Sequence, residues 1–70
     1  MKKCRLVDVG RVIKCEERFK NGKVFFIVLV DGFNYVYRVF HVVPFDEGEV
    51  VLVFEREDGS FYIRRFEVDM

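Results

Sequence analysis

The sequence predicts a small all-β domain, and three observations carry that prediction. The 9 Phe and 3 Tyr residues, together with abundant Val, favour pleated and half-buried surfaces. Three dipeptides that favour tight turns, Asn21-Gly22, Asp31-Gly32 and Asp58-Gly59, separate apolar or alternating runs. No window has the apolar spacing of a capped helix. We therefore expect strands throughout and no substantial helix.

The chain is long enough for one domain only, spanning residues 1–70. A domain of this size buries only about 60% of the surface that its unfolded form exposes, so its core is thin. Dense aromatic packing is the compensation that the composition offers.

The turns and apolar runs together predict five strands. Their expected ranges are 4–19, 23–30, 33–43, 49–57 and 60–68. A two-residue turn at Asn21-Gly22 places Phe19 opposite Val24 and Lys14 opposite Leu29. The second strand is apolar on both faces from Val24 to Val30, which indicates cover on both sides or cover by another chain.

A second two-residue turn is expected at Asp31-Gly32. It would pair Val28 with Tyr35 and Phe26 with Tyr37, which stacks aromatic and β-branched side chains on shared faces.

The first strand is long, and Gly10 lies near its middle. Gly10 marks either a bend that lets one strand pair with two partners, or a hairpin turn at Val9-Gly10. The hairpin would place Cys4 opposite Cys15. Val is a poor residue for the favoured hairpin turns, so we prefer the bent strand.

The order of elements is a three-strand meander, a connector over residues 44–48 and a C-terminal hairpin. An OB-like five-stranded barrel has its connector between the third and fourth strands and a long, bent first strand. An SH3-like barrel, with its helical turn between the fourth and fifth strands, is the second choice. Many OB folds carry a full helix in this connector, and this chain has no room for one.

The residue types present do not favour a catalytic site or a metal site. His41 is the only His and Ser60 the only Ser, and nothing resembles a nucleophile elbow. Cys4, Cys15 and His41 make at most three metal ligands, whereas structural zinc needs four. Single glycines form no phosphate-binding loop. We expect a protein that is not an enzyme and has no metal or cofactor.

The two cysteines have two interpretations. Cys4 and Cys15 are either buried small apolar residues or a disulfide pair. A disulfide inside a cell would suit a hyperthermophile, and so would the absence of Ala, Thr and Gln beside plentiful Lys, Arg and Glu. Chance in a short chain is the competing explanation of that composition.

The 12 basic and 12 acidic side chains cancel but are unevenly divided. Residues 1–23 hold eight basic residues and three acids, a balance of +5, and residues 24–70 carry −5. Such a split steers a partner to one face, unless the fold brings the halves together and averages the field. No run approaches the ~18 apolar residues of a membrane span, and the N-terminus has no signal-peptide core, so we expect a cytoplasmic protein.

Aromatic residues interleaved with Arg are the remaining candidates for a site. A small barrel cannot bury every ring, and rings left outside beside Arg form a stacking platform for single-stranded DNA or RNA. The expected binding residues, with N-terminal lysines as further phosphate contacts, are Tyr35, Tyr37, Arg38, Tyr62, Arg64 and Arg65.

The alternative function is self-association or protein binding through the same exposed rings. The doubly apolar second strand and the opposite charges of the two halves favour it. A pI near 6.6 weakens the nucleic-acid interpretation, because nucleic-acid-binding proteins are usually basic.

Overall fold

The computed structural model describes residues 4–66, which form five β-strands in one antiparallel sheet. The strand order across the sheet is β3-β2-β1-β4-β5, and residues 4–66 contain no helix. The predicted all-β class and the meander followed by a hairpin are confirmed. The strands are β1 (Cys4–Lys20), β2 (Lys23–Gly32), β3 (Val36–His41), β4 (Val50–Arg56) and β5 (Phe61–Arg65).

The sheet is not closed, so the predicted barrel is not confirmed. β3 and β5 are its two edges, and no backbone ladder joins them within the described residues. The edges approach through side chains: the ring centroids of Tyr37 and Phe61 lie 5.1 Å apart. The sheet is therefore strongly curved, with the core on its inner face.

β1 is one long strand that serves both halves of the sheet. It pairs with β4 over residues 4–11 and with β2 over residues 10–20. Register shifts at Val7 and Ile13 mark two bulges, one on each side of Gly10. The predicted bent strand is confirmed, although the bulges lie three residues away from the glycine.

The alternative hairpin at Val9-Gly10 is wrong. Cys4 lies opposite Arg56 on β4, and Cys15 lies opposite Val28 on β2. Both cysteines are free thiols; Cys4 is exposed and Cys15 is half-buried, so the expectation of buried cysteines fails at Cys4.

Gly10 is required by the close approach of β1 and β2. A Cβ atom at this position would lie 2.6 Å from Cγ1 of Val30 and 2.8 Å from the carbonyl oxygen of Asp31. Real Cβ atoms do not approach a backbone oxygen so closely, so only glycine fits this point of the strand.

The turn at Asn21-Gly22 forms as predicted. Asn21 has φ 52° and Gly22 has φ 75°, the positive angles that a type I′ hairpin turn needs. Phe19 pairs with Val24 and Lys14 with Leu29, so the predicted register of β1 and β2 is confirmed.

The predicted turn at Asp31-Gly32 is wrong, because β2 continues through both residues. The chain turns instead over residues 33–35, and Val28 pairs with Val39 rather than Tyr35. The Gly32 N–H donates to the Tyr35 carbonyl at 2.9 Å across this wider loop. The pairing is displaced by four residues, an even number, so the inward and outward faces of β3 are preserved.

The turn at Asp58-Gly59 joins β4 to β5. Gly59 has φ 87° and donates its N–H to the Arg56 carbonyl at 3.0 Å, while the Arg56 N–H donates to the Ser60 carbonyl at 2.8 Å. This is a three-residue loop whose last residue, Gly59, lies in the left-handed region, a common hairpin connection. β5 ends at Arg65, and residues 67 and 68 of the predicted strand lie outside the described residues.

The core is built from β-branched side chains on the inner face of all five strands. Phe45, in the connector between β3 and β4, closes one side of it. The fully buried members with less than 2% exposure are Val12, Val28, Val30, Val39, Val51, Val53 and Ile63. The described part of the chain, residues 4–66, contains no helix of the length and apolarity needed to cross a bilayer.

Candidate functional site

The outer surface of β1, β2 and β3 carries apolar side chains that the core does not absorb. Residues directly opposite one another on antiparallel strands share a face, so the register defines this surface, which we call the β1–β3 face. Its exposed or half-buried apolar members are Phe25 and Leu29 on β2 and Val36 and Phe40 on β3; Ile27, on the same face, is buried by its neighbours.

Two rings and a guanidinium form a cluster on the β1–β3 face. The ring centroids of Phe25 and Phe40 lie 5.9 Å apart at an interplanar angle of 53°. The guanidinium of Arg38 lies over the Phe40 ring, 5.2 Å from its centroid. Phe40 is 62% exposed, so one face of its ring remains open to a ligand.

The β1–β3 face is basic although the whole chain is neutral. Six basic residues and two acids give it a balance of +4. Five of the basic residues come from the first half of the chain, so folding preserves part of the uneven charge division. The basic members are Arg11, Lys14, Arg18, Lys20, Lys23 and Arg38, and the acids are Glu16 and Asp31.

The negative charge of Glu16 is compensated by two basic neighbours on the same face. It accepts from Arg18 at 2.6 Å and lies 3.4 Å from the Lys14 ammonium. The hydrogen bond from Arg18, followed by that from Lys14, lowers the pKa of Glu16 below its ordinary value. The carboxylate therefore holds two basic side chains in place on the surface.

A recess lies at each end of the β1–β3 face. The first has a volume of about 410 Å³ and is lined by Phe25, Phe40, Lys20, Val42 and His41. Volumes of this size are in the range of small-ligand sites.

The second recess, of about 510 Å³, lies where β1 bends, and we call it the Phe33 cleft. Phe33 is 89% exposed and forms one wall. Arg11 and Asp31 lie opposite each other in the register and both line the cleft. Arg11 donates to the Gly48 carbonyl at 3.0 Å rather than to Asp31.

Asp8 fixes the loop that carries Phe33. Its buried carboxylate accepts from the backbone N–H groups of Phe33 and Asn34, both at 3.0 Å, and from the Val9 N–H at 2.8 Å. The Tyr37 hydroxyl donates to the same carboxylate at 2.8 Å. These four donors tie β1, the loop and β3 together.

The four hydrogen bonds also decide the ionisation of the pair. Burial alone would raise the pKa of Asp8, but the bonds from Asn34, Tyr37, Phe33 and Val9 outweigh it and lower the pKa to about 2. Burial, followed by the bond to the Asp8 carboxylate, raises the pKa of Tyr37 to about 12. Asp8 is thus a charged acceptor and Tyr37 a neutral donor at neutral pH.

The residues predicted to bind nucleic acid do not form one surface. Arg38 lies on the β1–β3 face, and Tyr35, which is 71% exposed, lies in the loop after β2. Tyr37 is buried beside Asp8, so its ring is not presented at the surface.

The other three predicted residues lie on or beside β5. Tyr62 and Arg64 belong to the outer surface of β4 and β5, where Tyr62 stacks on Phe54 with centroids 5.1 Å apart. Arg65 lies over the Phe45 ring, 4.4 Å from its centroid, and pairs with Glu49 at 2.6 Å. Arg65 is therefore engaged in closing the core.

The outer surface of β1, β4 and β5, which we call the β4–β5 face, is a second apolar region. Leu6 is 52% exposed and Phe66 is 54% exposed. The guanidinium of Arg56 lies 4.6 Å from the centroid of the Tyr62 ring. The Tyr62 hydroxyl donates a hydrogen bond to Cys4, and this bond raises the pKa of Tyr62 above its ordinary value.

No family model, curated protein or solved structure matched this chain when it was compared with each. Among residues 4–66, no group of three or more His, Cys, Asp or Glu side chains is placed to hold a metal ion.

The sequence contains signals for several site residues that were not predicted. The Asn21-Gly22 turn fixes Phe25 opposite Arg18, and an apolar β2 must present one of its faces outward. Asp8 interrupts an apolar strand, where Asp is disfavoured, and so marks a buried acceptor. Phe33 and Phe40 have no comparable signal, because their neighbours on β1 and β2 depend on the length of the loop before β3.

Proposed function

We propose that this protein is a small OB-like binding module that holds single-stranded DNA or RNA on its β1–β3 face. The proposal is carried by the exposed Phe40 ring, which has Phe25 beside it and Arg38 above it on a surface of charge +4. Bases stack on exposed rings, and basic side chains hold the phosphates.

The strand order supports the OB-like part of the proposal. A long, bent β1 lies between β2 and β4, and the sheet is open between β3 and β5, as in a partly open five-stranded barrel. OB folds bind oligonucleotides on the face of their second and third strands, where the aromatic cluster lies here. The connector falls between β3 and β4, which disfavours the SH3-like alternative.

The dimensions of the β1–β3 face suit a short segment of single strand. Asp31 lies six positions after Phe25 on β2, a distance of about 20 Å along the strand. A single-stranded site on one OB fold spans about 4–16 nucleotides, so this face provides for the lower end of that range.

Titration of a labelled oligothymidylate of about 15 nucleotides tests the proposal. With four of the basic side chains of the β1–β3 face each contacting one phosphate, the affinity for the oligonucleotide is expected to fall about 50-fold between roughly 50 mM and 200 mM salt. Absence of binding at the lower salt concentration, or binding that is indifferent to salt, would refute the nucleic-acid function.

Two matched pairs of variants locate the binding surface. Phe40→Ala removes a stacking ring, which predicts a loss of about 5- to 150-fold in affinity. Phe66→Ala removes a ring of similar exposure from the β4–β5 face and is its control. Arg38→Ala, on the β1–β3 face, and Arg64→Ala, on the β4–β5 face, form the second pair. A larger loss of affinity in the Phe66 and Arg64 variants than in the Phe40 and Arg38 variants would place the binding site on the β4–β5 face instead.

A second candidate function, protein binding or self-association, is favoured by the β4–β5 face. Exposed Leu6, opposite Phe54 of the Phe54–Tyr62 stack, and exposed Phe66, just after β5, resemble the apolar centre of an interface more than a groove for phosphates. Sedimentation equilibrium separates the two: a concentration-dependent mass that Leu6→Lys abolishes supports this function, and a monomer at all concentrations excludes self-association.

A further inference from the structure

We infer that the Phe33 cleft is a base-selective pocket and that the base it selects is guanine. This inference rests on the proposed single-strand binding and deepens it. The observations that carry it are an unpartnered carboxylate, an exposed ring and a cleft large enough for a base, all at one end of the β1–β3 face.

The carboxylate of Asp31 is unpartnered. Within residues 4–66 it has no hydrogen bond or ion pair, although Arg11 lies directly opposite it on β1. Arg11 instead donates to the Gly48 carbonyl at 3.0 Å. The other acid of this face, Glu16, is fully engaged with Lys14 and Arg18. Asp31 is therefore the one acidic acceptor that the β1–β3 face offers to a ligand.

Phe33 supplies a surface for stacking beside that acceptor. Its side chain is 89% exposed, and its backbone N–H is held by the buried Asp8 carboxylate at 3.0 Å. A ring on an anchored backbone loses little entropy when a base stacks on it. The cleft volume of about 510 Å³ leaves room for one purine between Phe33 and the bent part of β1.

The donor pattern of the bases decides which one a carboxylate selects. Guanine alone presents two adjacent donors, N1–H and N2–H, on the edge that is free in a single strand, and they match the two oxygens of one carboxylate. Adenine and cytosine place an acceptor nitrogen beside their amino group, and that nitrogen would face the second oxygen. Thymine and uracil place a carbonyl on each side of their single donor. Asp31 therefore favours guanine.

The experiment compares oligothymidylates that carry one central guanine, inosine, adenine or cytosine. Guanine is expected to raise affinity about 10-fold over thymine, since a good bidentate pair discriminates between bases by this order. Inosine lacks the N2 amino group, so it should lose most of the gain.

Two substitutions assign the preference to the cleft. Asp31→Asn replaces one acceptor oxygen with a donor, so the guanine preference should disappear while binding of the all-thymine oligonucleotide is retained. Asp46→Asn, which neutralises an exposed acid of the connector, should keep the preference. Asp31 is exposed and without a partner among the described residues, so its replacement leaves the fold intact.

The outcomes separate this inference from the proposed function. Salt-dependent binding of the all-thymine oligonucleotide without any guanine preference overturns the inference and leaves the proposed function standing. A preference for cytosine or adenine, or a guanine preference that survives in Asp31→Asn, also overturns it. No binding of any oligonucleotide overturns both.

Discussion

Asp8 shows how one buried carboxylate can organise a small sheet. Its four donors come from β1, from the loop before β3 and from β3 itself. Each satisfied donor avoids the cost of a buried unpaired polar group, and among the described residues no buried side-chain polar atom lacks a partner. The carboxylate thus fixes both the register of β3 and the position of Phe33.

Removing the Tyr37 hydroxyl tests the strength of this arrangement. Tyr37→Phe takes one donor from a buried charged acceptor, which predicts a loss of about 2 kcal/mol in the free energy of unfolding. Denaturant unfolding measures it. Tyr35→Phe changes an exposed ring of the same kind and should stay within about 0.5 kcal/mol of the wild type. Equal effects of the two substitutions would contradict the role given to Asp8.

The pH dependence of stability is a second consequence of Asp8. Its pKa is lowered from 3.8 to about 2 in the folded protein, so the unfolded chain takes up its proton first as the pH falls. The contribution of Asp8 is complete above pH ~4 and is lost as the pH falls through about 2, a change of about 2 kcal/mol.

Denaturant unfolding at pH 5 and at pH 2 checks this window against the Asp8→Asn variant. The variant should be less stable at pH 5, and its stability should fall less between the two pH values. Glu16 and other carboxylates titrate in both proteins, so the difference isolates Asp8. Parallel declines in the two proteins would show that Asp8 does not titrate as described.

At the scale of elements, β1 decides the architecture because it is shared by both halves of the sheet. Its bulges at Val7 and Ile13 bend the strand and preserve the inward faces of both halves. Between them, Gly10 allows β1 to approach β2 more closely than any side chain permits.

Gly10→Ala is expected to be among the most damaging small substitutions in the chain. The added methyl group meets the Asp31 backbone oxygen, which cannot rotate away, so we expect a loss of roughly 1–3 kcal/mol or more in the free energy of unfolding. Gly22→Ala is the comparison, since open space surrounds that position and the cost is the positive φ alone, about 1 kcal/mol. A smaller loss at Gly10 than at Gly22 would refute this account of the bend.

At the scale of the whole molecule, the sheet is curved but open. β1 has a hydrogen-bonded neighbour on each side, whereas β3 and β5 each have one. The side chains of Tyr37 and Phe61 bring the two edges together without a backbone ladder.

Amide hydrogen exchange should reflect this arrangement. Protection is expected to be greatest in the middle of β1 and lowest in the amides of β3 and β5 that face the opening, because those amides lack a strand partner. Protection of the edge amides equal to that of β1 in a dilute monomer would mean that β3 and β5 pair and close the barrel in solution.

Local chemistry alone was enough to predict the strands, the turns at Asn21-Gly22 and Asp58-Gly59, and the bent β1. Each follows from a few neighbouring residues: positive φ at Asn-Gly or Asp-Gly, or a glycine inside a long strand. The register of β1 and β2 followed as well, because a two-residue turn leaves one way to pair.

Tertiary structure decided the length of the loop before β3, the lack of pairing between β3 and β5, and which residues lie together in the candidate site. The local preference of Asp31-Gly32 for a turn lost to the buried Asp8 carboxylate, which lies 25 residues from its partner Phe33. Which residues of β2 each ring meets depends on that loop, so Tyr37 lies opposite Val30 and Phe40 lies opposite Ile27. Hydrogen bonds between residues far apart in the chain leave no periodic pattern in the sequence. The residues that make up the β1–β3 face can therefore be identified only once the pairing of the strands is known.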